Sequence, residues 1–151
     1  MEGASKMIRT AFAVAVLAFA ATGLVAQSDP IAARKTLMKA NGDQNKVATE
    51  MLEGKRPFNL DDAKKVLATF AEAGEKVPTL FPDDSKTGGD TGALPAIWEN
   101  KTDFQARLAK FAQDSKAAGD ATKDLDSFKV QITEVRKNCG GCHQTYRKRT
   151  S

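Results

Sequence analysis

Residues 125–146 read LDSFKVQITEVRKNCGGCHQTY, and their spacing decides the fold. Core-type side chains recur at Leu125, Phe128, Ile132, Val135, Cys139, Cys142 and Tyr146, in steps of 3, 4, 3, 4, 3 and 4. A half-buried strand would alternate every second residue. This spacing is instead one stripe of a helix, and the pattern predicts a helix from about Asp124 to Arg149. A single stripe is buried only by other helices, so the rest of the chain has to supply them.

It does so three times. Upstream, Phe104, Leu108, Phe111, Ser115 and Ala118 stripe a helix over about Asn100 to Ala118, broken by Gly119-Asp120. Before that, Asn59 is a natural N-cap with Asp61 and Asp62 in the first turn. Leu60, Ala63, Leu67, Phe70, Gly74 and Val77 follow, predicting a helix to about Lys76 that Pro78 ends. The first helix is capped by Ser28 or Asp29, carries Pro30 in its first turn and runs to about Gly54. Its inner lines are Ile31, Met38, Asn45, Leu52 and Arg34, Asn41, Ala48, an oddly polar seam. A second line, Leu37, Gln44, Val47 and Met51, implies either a wide buried face or a surface that meets a partner.

Residues 77 to about 100 contain Pro78, Pro82 and Pro95, and form a crossover packed down by Leu80, Phe81, Ile97 and Trp98. Four amphipathic helices and three connections predict an all-α protein, an antiparallel four-helix bundle. One domain fits the 151-residue length.

The N-terminus reads as a targeting segment. Lys6 and Arg9 precede an apolar run from Ala11 to Ala21, and Thr22 to Ala26 offers small residues for cleavage. Residues 1–26 are therefore expected to be a cleaved signal peptide, and 27–151 the mature domain. The apolar run is too short to span a membrane. Cleavage leaves 21 basic and 18 acidic residues, a charge of +3, with no basic cluster of the kind that binds nucleic acid. Export to the periplasm is expected.

Within the fourth helix stands Cys139-Gly140-Gly141-Cys142-His143, and C-x-x-C-H is the attachment signature of c-type haem. Two thiols add across the haem vinyl groups while the imidazole takes one axial position on iron. On a helix Cys142 lies about 60° to one side of Cys139 and His143 about 40° to the other, so all three share a face. The alternatives are weaker. Zinc wants four ligands where this cluster offers three. A thioredoxin-like dithiol wants a βαβ setting, and a disulfide between positions i and i+3 of a helix is awkward and leaves His143 without a purpose. One covalent haem c per chain is expected, held by Cys139 and Cys142, with His143 as the proximal ligand.

His143 is the sole histidine, so a second histidine ligand within the chain is excluded. The other axial position is left to a methionine, a lysine, an amine, water or nothing. With Met1 and Met7 removed, Met38 and Met51 remain. Met38 lies near the start of the first helix, which an antiparallel bundle sets beside the end of the fourth. Met51 is three turns further away. Arg34, one turn before Met38, sits on a core-facing line, where a haem propionate would give it a charge-assisted partner. Arg147 shares a face with His143 but equally suits a helix C-terminus.

The chain resembles the cytochrome c′ family, the class II c-type cytochromes, over its whole mature length. The resemblance rests on Arg34-x-x-x-Met38, Leu80-Phe81-Pro82, Pro95-Ala96-Ile97-Trp98 and Cys139-x-x-Cys142-His143-x-x-Tyr146-Arg147. It implies a four-helix bundle with covalent haem near the C-terminus, a periplasmic location and frequent homodimers through the first helix. Leu37-Met38-Lys39-x-Asn41-Gly42 is similar to the low-spin branch, which implies Met38 as the distal iron ligand and a one-electron carrier. The alternative is the high-spin, five-coordinate branch that binds NO or CO. No general acid, base or nucleophile is arranged for substrate chemistry, so no enzyme activity is expected. Lys137, Arg147, Lys148 and Arg149 could guide an acidic redox partner to the haem edge.

Overall fold

The computed structural model describes residues 29–149, so the expected signal peptide at 1–26 lies outside the described residues. Helix α1 (Pro30–Leu52) starts where Asp29 accepts a hydrogen bond from the Ile31 N–H at 2.8 Å, with Pro30 in the first turn. Helix α2 (Leu60–Lys76) is capped by Asn59, which accepts from the Asp62 N–H at 2.9 Å. A short α3 (Ala96–Glu99) leads into α4 (Lys101–Ala121), and α5 (Leu125–Tyr146) opens on a reciprocal Asp124–Ser127 capping box. The four long helices form the expected bundle, and the described residues contain no strand, only the isolated bridge between Ala93 and Arg147.

The structure departs from the sequence expectations in four places. Helix α4 runs through Gly119 and Asp120 to Ala121, and stops at Thr122, whose hydroxyl donates to the Ala118 carbonyl. Helix α5 stops at Tyr146 rather than Arg149, because Arg147 turns extended and pairs with Ala93. Leu125 heads the stripe in sequence but is 39% exposed, lying in the first turn where no neighbouring helix covers it. The crossover is not structureless: it holds 3₁₀ turns at Val77–Leu80 and Asp83–Ser85 as well as α3.

Packing is closest between α2 and α4. A Cβ on Gly74 would lie 2.8 Å from the Ala112 side chain, the Ala112 nitrogen and the Leu108 carbonyl, so this crossing accepts only glycine without movement. Towards the end where α5 begins, Val66, Leu67, Phe128 and Ile132 are fully buried. Helices α1 and α5 make few direct contacts with one another. The space between them is where the candidate site lies.

Candidate cofactor site

Three elements converge at the end of the bundle where α5 finishes. Helix α5 brings Cys139, Cys142 and His143 to one cavity of about 510 Å³, and α1 brings Met38 to the same cavity. Phe70, Leu108 and Phe111 supply apolar wall from α2 and α4. A second, narrower cavity of about 180 Å³ also touches Met38, Cys142 and His143 and is bounded by Arg34 and residues 91–93 of the crossover.

The two thiols are free and half-buried. Burial raises the pKa of each, and nearby Arg136 and Arg107 partly oppose this at Cys139 and Cys142 respectively. Burial, aided by the cation of Arg147, lowers the pKa of His143, which keeps the imidazole neutral and its lone pair available to a metal. Built Cβ atoms at Gly140 and Gly141 meet nothing, so the outer side of the motif is open.

Met38 is half-buried, whereas Met51 is 1% exposed and belongs to the core well along α1. Of the polar seam expected on the first helix, Arg34 is buried and Asn41 half-buried, but Asn45 faces solvent. Arg34 is 4% exposed, with its guanidinium 4.4 Å from the Phe81 ring centroid. Its terminal nitrogens donate to the Leu80 carbonyl, the Ser85 hydroxyl and carbonyl, and the Thr91 hydroxyl at 2.9–3.2 Å. Four of the five guanidinium N–H groups are therefore committed to the crossover, where the sequence alone pairs this residue with a propionate.

Two arginines escape the sequence reading. Arg136 donates to the Asn45 side chain and carbonyl and to the Thr49 hydroxyl, tying α5 to α1 beside the cavity. Arg107 donates to Asp103 at 2.7 Å and to the Gly141 carbonyl at 2.9 Å, so α4 holds the C-x-x-C turn directly. The Tyr146 hydroxyl donates to the same Asp103 oxygen, and this bond, then Arg107, lowers the Asp103 pKa. Neither arginine lies on an apolar stripe, and periodicity carries no other signal for them.

The donor set fits a covalently held haem. Two thiols and an imidazole stand on one helix, a thioether on another, with apolar wall between them and Arg107, Arg136 and Arg147 at the edges for carboxylates. The cavity is within the usual range for a bound cofactor. The Asn41 side-chain amide oxygen (Oδ1) is buried without a protein partner, as expected beside a site whose occupant is a separate group. Among the described residues no cluster of three or more His, Cys, Asp or Glu side chains is placed to hold a metal ion by itself.

Comparison with known proteins gives a consistent set of likenesses. A family model described as cytochrome c′ matches residues 29–147. The chain is 45% identical over 127 residues to a cytochrome c′ of Rhodopseudomonas palustris, covering 84% of this chain and 87% of that protein. It is 30% identical over 145 residues to a cytochrome c-556 of the same organism, covering 93% and 97%. Among solved structures, the R. palustris cytochrome c′ superposes with a TM-score of 0.79 at 44% identity, covering 83% of this chain and all of that one. An NMR-validated structural model of oxidised R. palustris cytochrome c556 gives a TM-score of 0.76 at 29% identity, with the same coverage.

Proposed function

This chain belongs to the cytochrome c′ family, whose cofactor is covalent haem c, and on that premise we propose that it is a periplasmic one-electron carrier with Met38 and His143 as the two axial ligands. The observation that carries the reading is that Met38 of α1 and His143 of α5 line both cavities together. When bound, the haem supplies a ferric–ferrous couple. Cys139 and Cys142 would fix its position through thioether bonds, and the neutral imidazole of His143 would donate its lone pair. The soft thioether of Met38 favours the reduced state and raises the potential. Phe70, Leu108 and Phe111 keep water from the wall they form.

Arg34 is assigned here to holding the crossover rather than to a propionate, since four of its five N–H groups already point to that segment. No catalytic residue is part of the proposal. An acidic redox partner would meet Arg147 at the cavity edge. Lys137 contributes less, being paired with Glu134 at 2.6 Å. Of the second line on α1, Met51 is buried in the core, while Leu37 and Val47 are half-buried and would contribute to a homodimer contact. Among the described residues no helix is long and apolar enough to cross a membrane, which accords with an exported carrier.

The second reading is a high-spin protein in which Met38 stands near iron without bonding to it. It is favoured by one observation, that the R. palustris cytochrome c′ is more identical to this chain than is its cytochrome c-556. Absorption spectra of the purified protein, oxidised, reduced and reduced under CO, separate the two. A low-spin spectrum that resists CO is expected; an immediate shift under CO overturns the methionine ligand.

A further inference from the structure

The crossover between α2 and α4 joins the two helices that carry the proposed axial ligands. Helices α1 and α5 themselves make few direct contacts beside the site. On one side, Arg34, four residues before Met38, donates from one terminal nitrogen to the Thr91 hydroxyl at 2.9 Å. On the other, the Leu94 N–H donates to the Tyr146 carbonyl at 3.0 Å, and the Lys148 N–H to the Gly92 carbonyl at 2.8 Å. The Lys148 amine also reaches the Thr91 carbonyl, at 3.1 Å. Tyr146 is three residues after His143. Residues 91–93 form wall of the narrow cavity that Met38 and His143 share.

We propose that residues 91–94 are a tie that sets the gap between Met38 and His143, anchored to α1 through Arg34 and to α5 through the backbone at and just after Tyr146. The proposal rests on the methionine-ligated reading. Its physical basis is the softness of the distal bond. His143 is held next to a covalently fixed motif, but Met38 reaches iron only if α1 stays at the right distance. Beside Arg34, Lys35 donates to the Asp90 carbonyl at 2.9 Å; the tie from α1 to α5 itself, Arg136 to Asn45 and Thr49, lies two to three turns beyond Met38. The end of α1 that carries Met38 therefore depends on the crossover. Arg34 and Thr91 are positioning residues in this scheme.

Two variants cut the tie at opposite ends without removing a core side chain. Thr91→Val deletes one of the four acceptors of Arg34, the one within the tie, and with it the acceptor of the Ala93 N–H, while keeping the shape. Lys148→Pro deletes both bonds from Lys148; Arg147 is already extended, at φ −122° and ψ 138°, the conformation that precedes proline without strain. Each variant, in the haem-loaded protein, should bind CO in the ferrous state at least about fivefold faster, the population shift expected for each hydrogen bond lost. Each should also lower the midpoint potential. Thr91→Ser should restore both values. In the haem-free Thr91→Val protein, the amides of Leu94 and Lys148 should exchange faster with solvent. A low-spin parent protein whose CO rate and potential are unmoved by either cut overturns the tie alone. A parent protein that is high-spin overturns the ligand reading and the tie with it. A fall in unfolding temperature with unchanged CO rate and potential means that the segment is only a structural closure, and also overturns the proposal.

Discussion

At the end of the bundle where α1 stops and α5 begins, Phe128 is fully buried with its ring 6.1 Å from that of Phe58, and Ile132, Val66 and Leu67 close around it. At the opposite end, Met38, Cys139, Cys142 and His143 are only half-buried around about 510 Å³ of space, and the closures are polar: Arg34 to the crossover, Arg107 to Asp103 and Gly141. One end draws stability from apolar side chains meeting each other. The other keeps the apolar wall of its cavity apart for a cofactor, packs the Phe81, Phe104 and Tyr146 rings together beside it, and adds ties from arginines. The difference teaches that the same four helices divide the work of folding and of binding along their length.

That division can be broken most forcefully at the packed end. Phe128→Ala should cost about 3–5 kcal/mol, seen in denaturant unfolding, while the visible spectrum of the folded protein stays that of the parent. A spectral change would mean that the two ends are not separable. At mid-bundle, Gly74→Val should cost about 1–3 kcal/mol, because the backbone of α4 has to retreat from the new side chain. Met38→Ala reverses the pattern: the packing loss should be about 1 kcal/mol at a half-buried position, but the ferrous protein should become reactive to CO. An unaltered spectrum would place another ligand on iron.

The smallest effect is a pH dependence. The Tyr146 hydroxyl and then Arg107 hold the Asp103 carboxyl below its ordinary value of 3.8. Its contribution is therefore present above pH 3.8 and is lost as pH falls through the lower, folded value. Asp103→Asn should flatten the acid limb of the unfolding curve measured from pH 5 downward; Asp124, held low by its hydrogen bonds with Ser127, contributes to the same limb from the packed end. An equally steep acid limb in Asp103→Asn would remove this carboxyl from the closure of the site.

The helices were legible because a buried stripe and a capping residue both leave local marks. Phe104, Leu108 and Phe111 announce one face of α4, and Asn59 and Asp29 cap where their neighbours' spacing requires it. Cys139, Cys142 and His143 were legible for a similar reason: one flat group has to be met by one turn of helix, which forces a short motif. Arg34 was noticed, as a charge on a core-facing line, but its partners were not, since Ser85 and Thr91 lie about fifty residues away and no periodicity links them to it. Arg107 and Arg136 drew no attention because a partly exposed arginine on a helix is ordinary in sequence and acquires meaning only from what stands across from it.

By itself, then, the sequence determined the four-helix class and the short motif proposed to attach haem, because both depend on contacts within a few residues along one chain segment. Only the tertiary structure decided what closes the site. The end of α5 pairs with the crossover instead of continuing as a helix, and Arg34 turns its donors to that same segment. Hydrogen bonds between distant segments depend on where packed helices leave their ends, and that position is a property of the whole bundle.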